Sequence, residues 1–181
     1  MNISVYLASS INGMISNKAN VPDWLSPEYG QGFMAICQRM KAVVMGKTTY
    51  EILIPDHLPL KDEGTLIVLT HDTAAEPPQP NVVFTDKTPQ EIVRILEERG
   101  HHEAVLIGGT QTVSEFVQSG LVDEMYLVVE PVLFGAGLPL LRDVDTDYKM
   151  TLLGVEKLNA NTVQIHYRLI HSMNNGGHRK Q

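Results

Sequence analysis

Short apolar runs that stop at a glycine, a threonine or a proline recur along this 181-residue chain, and most give way to a segment with helical periodicity. Ala42 to Met45 runs into "GKTTYE", Ala104 to Ile107 runs into "GGTQTVSEF", and Thr65 to Leu69 ends in Thr70 and His71. Ile3 to Ala8, Val82 to Phe84 and Glu124 to Val129 are further runs rich in β-branched and aromatic residues. Near-continuous apolarity marks a strand buried on both faces, and such strands are buried when helices cover both sides of a parallel sheet. The alternation of strands and helices therefore predicts an α/β domain: three layers, with a central, mostly parallel mixed sheet and helices on both faces.

The helices announce themselves by their starts. Ser26 before Pro27 supplies an N-cap followed by a first-turn proline, and Phe33, Ile36, Cys37 and Met40 then recur at helical spacing, so a helix is expected from Pro27 to Met40. Thr88, Pro89 and Glu91 mark a second start, with an end near Gly100, and Thr110 to Gln118 forms a third helix. Ser9 to Pro27 carries loop chemistry and reads as a long loop of the kind that often serves function. Met150 to Leu158 and Thr162 to Ile170 flank the "NAN" turn at Asn159 to Asn161 and read as an antiparallel C-terminal hairpin on the sheet edge. One domain over residues 1–171 and a frayed tail over 172–181 are expected.

Composition narrows the partners. Twenty-one acidic against fourteen basic residues give a formal net charge of −7, which argues against a general hold on nucleic acid or anionic lipid. An anion site must then be local. The single cysteine, Cys37, excludes an intrachain disulfide and a cysteine-rich metal site, and its apolar neighbours make it a core residue. With no spanning apolar stretch and no signal-like N-terminus, the cytoplasm is the expected compartment.

The candidate chemistry lies at strand ends. At "VVMGKTTYE", Thr48 or Thr49 could simply cap a helix; alternatively Gly46, Lys47 and the helix start together form a phosphate site. At "LIGGTQTVSEF", Gly108 and Gly109 let a ligand approach the backbone, or serve only as a turn for close packing. The missing third glycine and later acid argue against a standard dinucleotide fingerprint. Gly135 and Gly137 read as a tight turn. Four strand ends carrying Gly, Thr, Lys or His indicate that one rim of the sheet is kept polar for a ligand. No metal site is expected: adjacent His101 and His102 point apart and lack partners. Asp23, Glu28 and Glu130 are candidate acid or base groups, each of which also reads as a solvated carboxylate.

Taken in order, "LASSINGMIS", "VVMGKTTYE", "LIGGTQT" and "LVDEMYLVVEPVLFGAGLPL" resemble the dihydrofolate reductase superfamily, and within it the branch that contains the riboflavin-pathway reductase domain. The resemblance runs from Ile3 to about Ile170. "DWLS", at Asp23 to Ser26, is similar to the segment of that branch in which a tryptophan lies against the cofactor. The resemblance implies that Gly46, Lys47, Thr48 and Thr49 and the turn Gly108, Gly109, Thr110, Gln111 and Thr112 cradle the phosphates of NADPH. Thr70 and His71 would lie near the adenosine 2′-phosphate, and NADH is a second candidate because lysine and histidine replace the stronger fork of an arginine. Ala8, Ser9, Asn12, Gly13 and Trp24 would border the nicotinamide and the substrate.

Two departures bear on the substrate. The helix carboxylate that holds the pterin in dihydrofolate reductases corresponds to Gly30, with Glu28 nearby, which argues against folate. The glutamate before the late glycine turn of the riboflavin branch is replaced here by Ile107 and Gly108, and the deaminase domain often fused to that branch has no counterpart. The expected activity is an NAD(P)H-dependent oxidoreductase that transfers hydride to a C=N or C=O bond of a small heterocycle, pterin- or aminopyrimidine-like. Glu28 and Asp23 are the candidate proton donors, and a homodimer is expected. Alternatives are a non-catalytic nucleotide- or ligand-binding protein of the same fold, and an assembly domain whose glycine turns are purely structural.

Overall fold

A computed structural model describes residues 1–54, 57–61, 63–74, 76–77 and 79–170. The expected tail over 172–181 lies outside the described residues. Along the chain run β1 (Asn2–Ser9), β2 (Met14–Asn17), α1 (Pro27–Met40), β3 (Ala42–Gly46), α2 (Lys47–Leu53), β4 (Thr65–Leu69) and β5 (Val82–Thr85). After them come α3 (Pro89–Glu98), β6 (Glu103–Leu106), α4 (Thr110–Gln118), β7 (Glu124–Val129), β8 (Gly137–Pro139), β9 (Met150–Lys157) and β10 (Val163–Leu169).

Eight strands form one mixed sheet in the order β5-β4-β3-β6-β1-β7-β10-β9. The strands from β5 to β7 pair in parallel; β10 pairs antiparallel with both β7 and β9, completing the expected edge hairpin. β1 is central, and every residue from Ile3 to Ser9 is buried. Side chains alternate between faces with the strand period of two. On one face Ile3, Val5, Ala42 and Val44 pack with Ile92 and Leu96 of α3 and Val113 and Phe116 of α4. On the other Val43, Met45, Leu66 and Val68 pack with Phe33, Ile36, Cys37 and Met40 of α1 and with Tyr50 of α2. Each fully buried chain of this size contributes roughly 1.5–3 kcal/mol. Burial also pushes the Cys37 thiol up to about 12.

The helix starts follow their local chemistry. Ser26 Oγ accepts from the Tyr29 backbone N–H at 3.2 Å, with Pro27 in the first turn. Thr88 and Glu91 form a reciprocal capping box on α3. α2 differs from the capping alternative, because its N-cap is Gly46 and Thr48 and Thr49 lie inside the first turn. The Ser9 to Pro27 loop also differs, since it contains β2. This strand is four residues long and pairs antiparallel with β8, so neither is visible without the other. Gly137, expected in a simple turn, belongs to β8, and a Cβ there would collide with the Ser16 carbonyl oxygen. The close approach of the two backbones explains the glycine.

Candidate functional site

Because β1 and β3 to β7 are parallel, their carboxyl ends share one rim, and a cleft of about 1320 Å³ runs along it. The two glycine turns meet at its floor. The Gly46 N–H donates to the Gly108 carbonyl at 2.9 Å, and the Ile107 N–H donates to the Val44 carbonyl at 3.1 Å. Gly108 has φ 120°, a conformation reserved for glycine, and the Gly108–Gly109 peptide bond is cis. A Cβ on Gly46 would stand 3.1 Å from Thr112 Oγ1, and one on Gly108 would stand 3.2 Å from Thr49 Oγ1. Glycine at both positions thus keeps the turns in contact and their backbone bare. Neither α2 nor α4 has a side-chain cap, since Gly46 and Gly109 hold the N-cap positions. Thr110 Oγ1 donates to the Pro139 carbonyl at 2.6 Å and fastens α4 to β8.

Beyond the glycines, toward β4 and β5, the cleft is charged. Lys47 Nζ lies 3.9 Å from Asp72 Oδ2, and Lys87 Nζ lies 3.8 Å from Glu91 Oε1. The Asp72 backbone N–H donates to Thr70 Oγ1 at 3.1 Å, forming a turn that carries the exposed His71. In the other direction the cleft is mostly apolar, walled by Trp24, Leu25, Phe33, Met34 and Leu53, with His57 at its side. Trp24 meets the Phe134 ring edge-on at 5.1 Å.

Of the residues singled out from sequence, Ala8, Trp24, Gly46, Lys47, Thr48, Thr49, Thr70, His71 and Gly108 to Thr112 all line this one cleft. Ser9, Asn12, Gly13, Asp23 and Glu28 are not among its lining residues. Asn12 acts from behind: it accepts from Ser10 Oγ at 2.8 Å, and its amide donates to the Phe134 carbonyl at 2.8 Å, which holds the ring that backs Trp24. Glu28 accepts from Asn159 Nδ2 at 2.9 Å, tying α1 to the β9–β10 turn, and this bond holds its carboxyl below the usual range.

Glu130 overturns its expectation as a solvated carboxylate. It is 1% exposed and accepts from the Ser26 backbone N–H at 2.9 Å, from Ser26 Oγ at 2.6 Å and from Thr162 Oγ1 at 2.9 Å. One side chain at the end of β7 therefore joins the start of α1 to the start of β10. No local pattern could identify partners so distant in the chain. Nearby, Tyr6 stacks on Tyr29 at 5.4 Å, and burial raises both phenols well above the ordinary tyrosine range.

Among the described residues no group of three or more His, Cys, Asp or Glu is arranged to hold a metal. No described helix is long and apolar enough to cross a membrane.

Solved structures with this architecture include a putative riboflavin biosynthesis protein from Shewanella sp. PV-4, with TM-score 0.78, 23% identity and coverage of 94% of this chain and 100% of that one. A diaminohydroxyphosphoribosylaminopyrimidine deaminase/5-amino-6-(5-phosphoribosylamino)uracil reductase from Thermotoga maritima matches with TM-score 0.73 and 20% identity, over 93% of this chain and 56% of its own. These TM-scores show that the chain shares the dihydrofolate reductase-like fold of those structures. In sequence, the uncharacterized Bacillus subtilis protein YwjB is 28% identical over 169 residues, covering 90% of this chain and 95% of its own length. Residues 2–164, from the first strand through the start of the last, match the model of the RibD C-terminal domain, and the chain belongs to that family.

Proposed function

We propose that the protein is an NAD(P)H-dependent reductase acting on a C=N or C=O bond of a small heterocycle. The observation that carries this reading is the contact of the two glycine turns, Gly46 N–H to the Gly108 carbonyl at 2.9 Å, beside an apolar compartment containing Trp24. The bare backbone at Gly46 and Gly108 fits a pyrophosphate, because a Cβ at either would crowd Thr112 or Thr49 across the contact. Lys47, Thr70 and His71 would meet the adenosine end, and Trp24 and Ala8 the nicotinamide. The bound dinucleotide supplies the hydride. The chain's part is to align the ring and exclude water with Trp24, Leu25, Phe33 and Met34. Asp23 and Glu28 lie outside the lining, so their roles as proton donors would run through water, whereas His57 is itself a lining residue.

The absence of Asp23 and Glu28 from the lining also favours a second reading, a nucleotide-binding protein without turnover. Titration with NADPH followed by the fluorescence of Trp24, the sole tryptophan, tests the site. Saturable change and protection against unfolding are expected; neither occurring overturns the proposal. Binding without oxidation of NADPH in the presence of pterins and aminopyrimidines selects the second reading.

We also propose a homodimer formed along β9. This edge strand exposes Leu152 by 55% and Val155 by 61%, an apolar edge of the kind that pairs. Light scattering that returns a monomer mass at working concentration rejects it.

A further inference from the structure

The apolar compartment is electrostatically distinctive, and its character follows from residues outside the glycine turns. The lysines and arginine lining the cleft are Lys47, Lys87 and Arg142. Lys47 is engaged toward Asp72 at the end of β4, and Lys87 pairs with Glu91 at the start of α3. The Arg142 backbone is bonded to Ser114 Oγ of α4 at 2.9 Å. Lys47 and Lys87 therefore lie on the β3–β5 rim, and the Arg142 backbone is tied to α4. Trp24, Leu25, Phe33, Met34 and Leu53 supply a large apolar part of the lining, and the ion pairs of Lys47 and Lys87 are made with Asp72 and Glu91.

That apolar part includes the start of α1, whose first backbone N–H groups would be the natural place for a substrate anion. The protein fills it with its own groups. Ser26 Oγ takes the Tyr29 N–H, and the buried Glu130 takes both the Ser26 N–H and its hydroxyl. The Glu130 side chain is thus occupied as an acceptor by Ser26 and by the Thr162 hydroxyl. A phosphate brought here would lose its water, find Lys47 and Lys87 already paired with carboxylates, and meet Glu130 one residue behind Ser26.

We propose, on the reductase reading above, that this compartment takes a flat, uncharged heterocycle bearing no phosphate, in contrast to the phosphoribosyl substrate named for the Thermotoga maritima reductase. Ring stacking on Trp24 and apolar contact with Phe33 and Met34 would supply the affinity, and His57 the polar contact.

The test is a matched pair, 5-aminouridine and its 5′-monophosphate, titrated calorimetrically into the full chain saturated with NADPH. The riboside is expected to bind at least about tenfold more tightly than the phosphate. Met34→Lys, which adds a cation to the wall, is expected to narrow that ratio. A phosphate that binds wild type as tightly as the riboside, or more tightly, overturns the inference, as does failure of both rings to bind. In those cases intact NADPH binding leaves the reductase reading standing. Conversely, failure of NADPH to bind removes that reading, and the ring preference is then read from the same titration without dinucleotide.

Discussion

Glu130 and Ser26 are 104 residues apart in the chain and joined by two hydrogen bonds, at 2.9 Å from the Ser26 backbone and 2.6 Å from its hydroxyl. Together with the Thr162 hydroxyl at 2.9 Å they fasten three distant segments at one buried point. Glu130→Ala should leave these donors unpaired and cost about 2–4 kcal/mol in urea unfolding, while Glu130→Gln should cost less. In a double-mutant cycle with Ser26→Ala the two losses should fall short of additive by about 1 kcal/mol or more. Strict additivity would mean that the pair does not act as a unit.

Gly108 and Gly46 serve the same contact for different reasons. At φ 120° any side chain on Gly108 is strained, so Gly108→Ala should cost roughly 1–3 kcal/mol and abolish NADPH binding. Gly46 has an ordinary φ of −81°, but its added Cβ would press on Thr112 Oγ1. Gly46→Ala should therefore retain most stability and still lose the dinucleotide. Thermal unfolding with and without NADPH separates the two effects.

Lys47 is partly neutralised by Asp72 at 3.9 Å, both side chains being about half exposed. Lys47→Ala should weaken NADPH more than NADH. Asp72→Asn should do the reverse, strengthening NADPH about two- to fivefold, with the gain shrinking as salt is raised. Equal effects on the two dinucleotides would remove Lys47 from the 2′-phosphate end.

Glu124 should contribute to acid sensitivity. Burial pushes its carboxyl up, but hydrogen bonds from His166 at 2.9 Å and Arg168 at 3.0 Å outweigh this and hold it below the ordinary value. The folded state then binds its proton more weakly than the unfolded chain does. The stabilisation is complete above the unfolded value of about 4.3 and is lost as pH falls through the folded value. Urea midpoints measured from about pH 6 down to about pH 3 should fall less steeply for Glu124→Gln than for wild type. Identical acid limbs would show that this β7–β10 cluster is not responsible.

What could be read from the sequence was local. α1 occupies its expected span because cap, proline and apolar spacing all lie within it. The polar strand ends were visible because Gly46, Thr70 and Gly108 each interrupt an apolar run where it stops. The rest depends on partners remote in the chain. β2 exists through β8, the Asn12 amide through Phe134, and Glu130 through Ser26 and Thr162. Glu130 in particular was misread because a glutamate is almost never fully buried unless paired, and only the assembled fold brings three donors to it.

The central position of β1 also constrains biosynthesis. Its lateral neighbours are β6 and β7, contributed by residues 103–106 and 124–129, so a nascent chain carries this apolar segment without a sheet partner until much later residues have left the ribosome. Cooperative assembly must therefore wait for most of the chain, and slow translation or truncation before β7 would present that segment to chaperones or to other nascent chains.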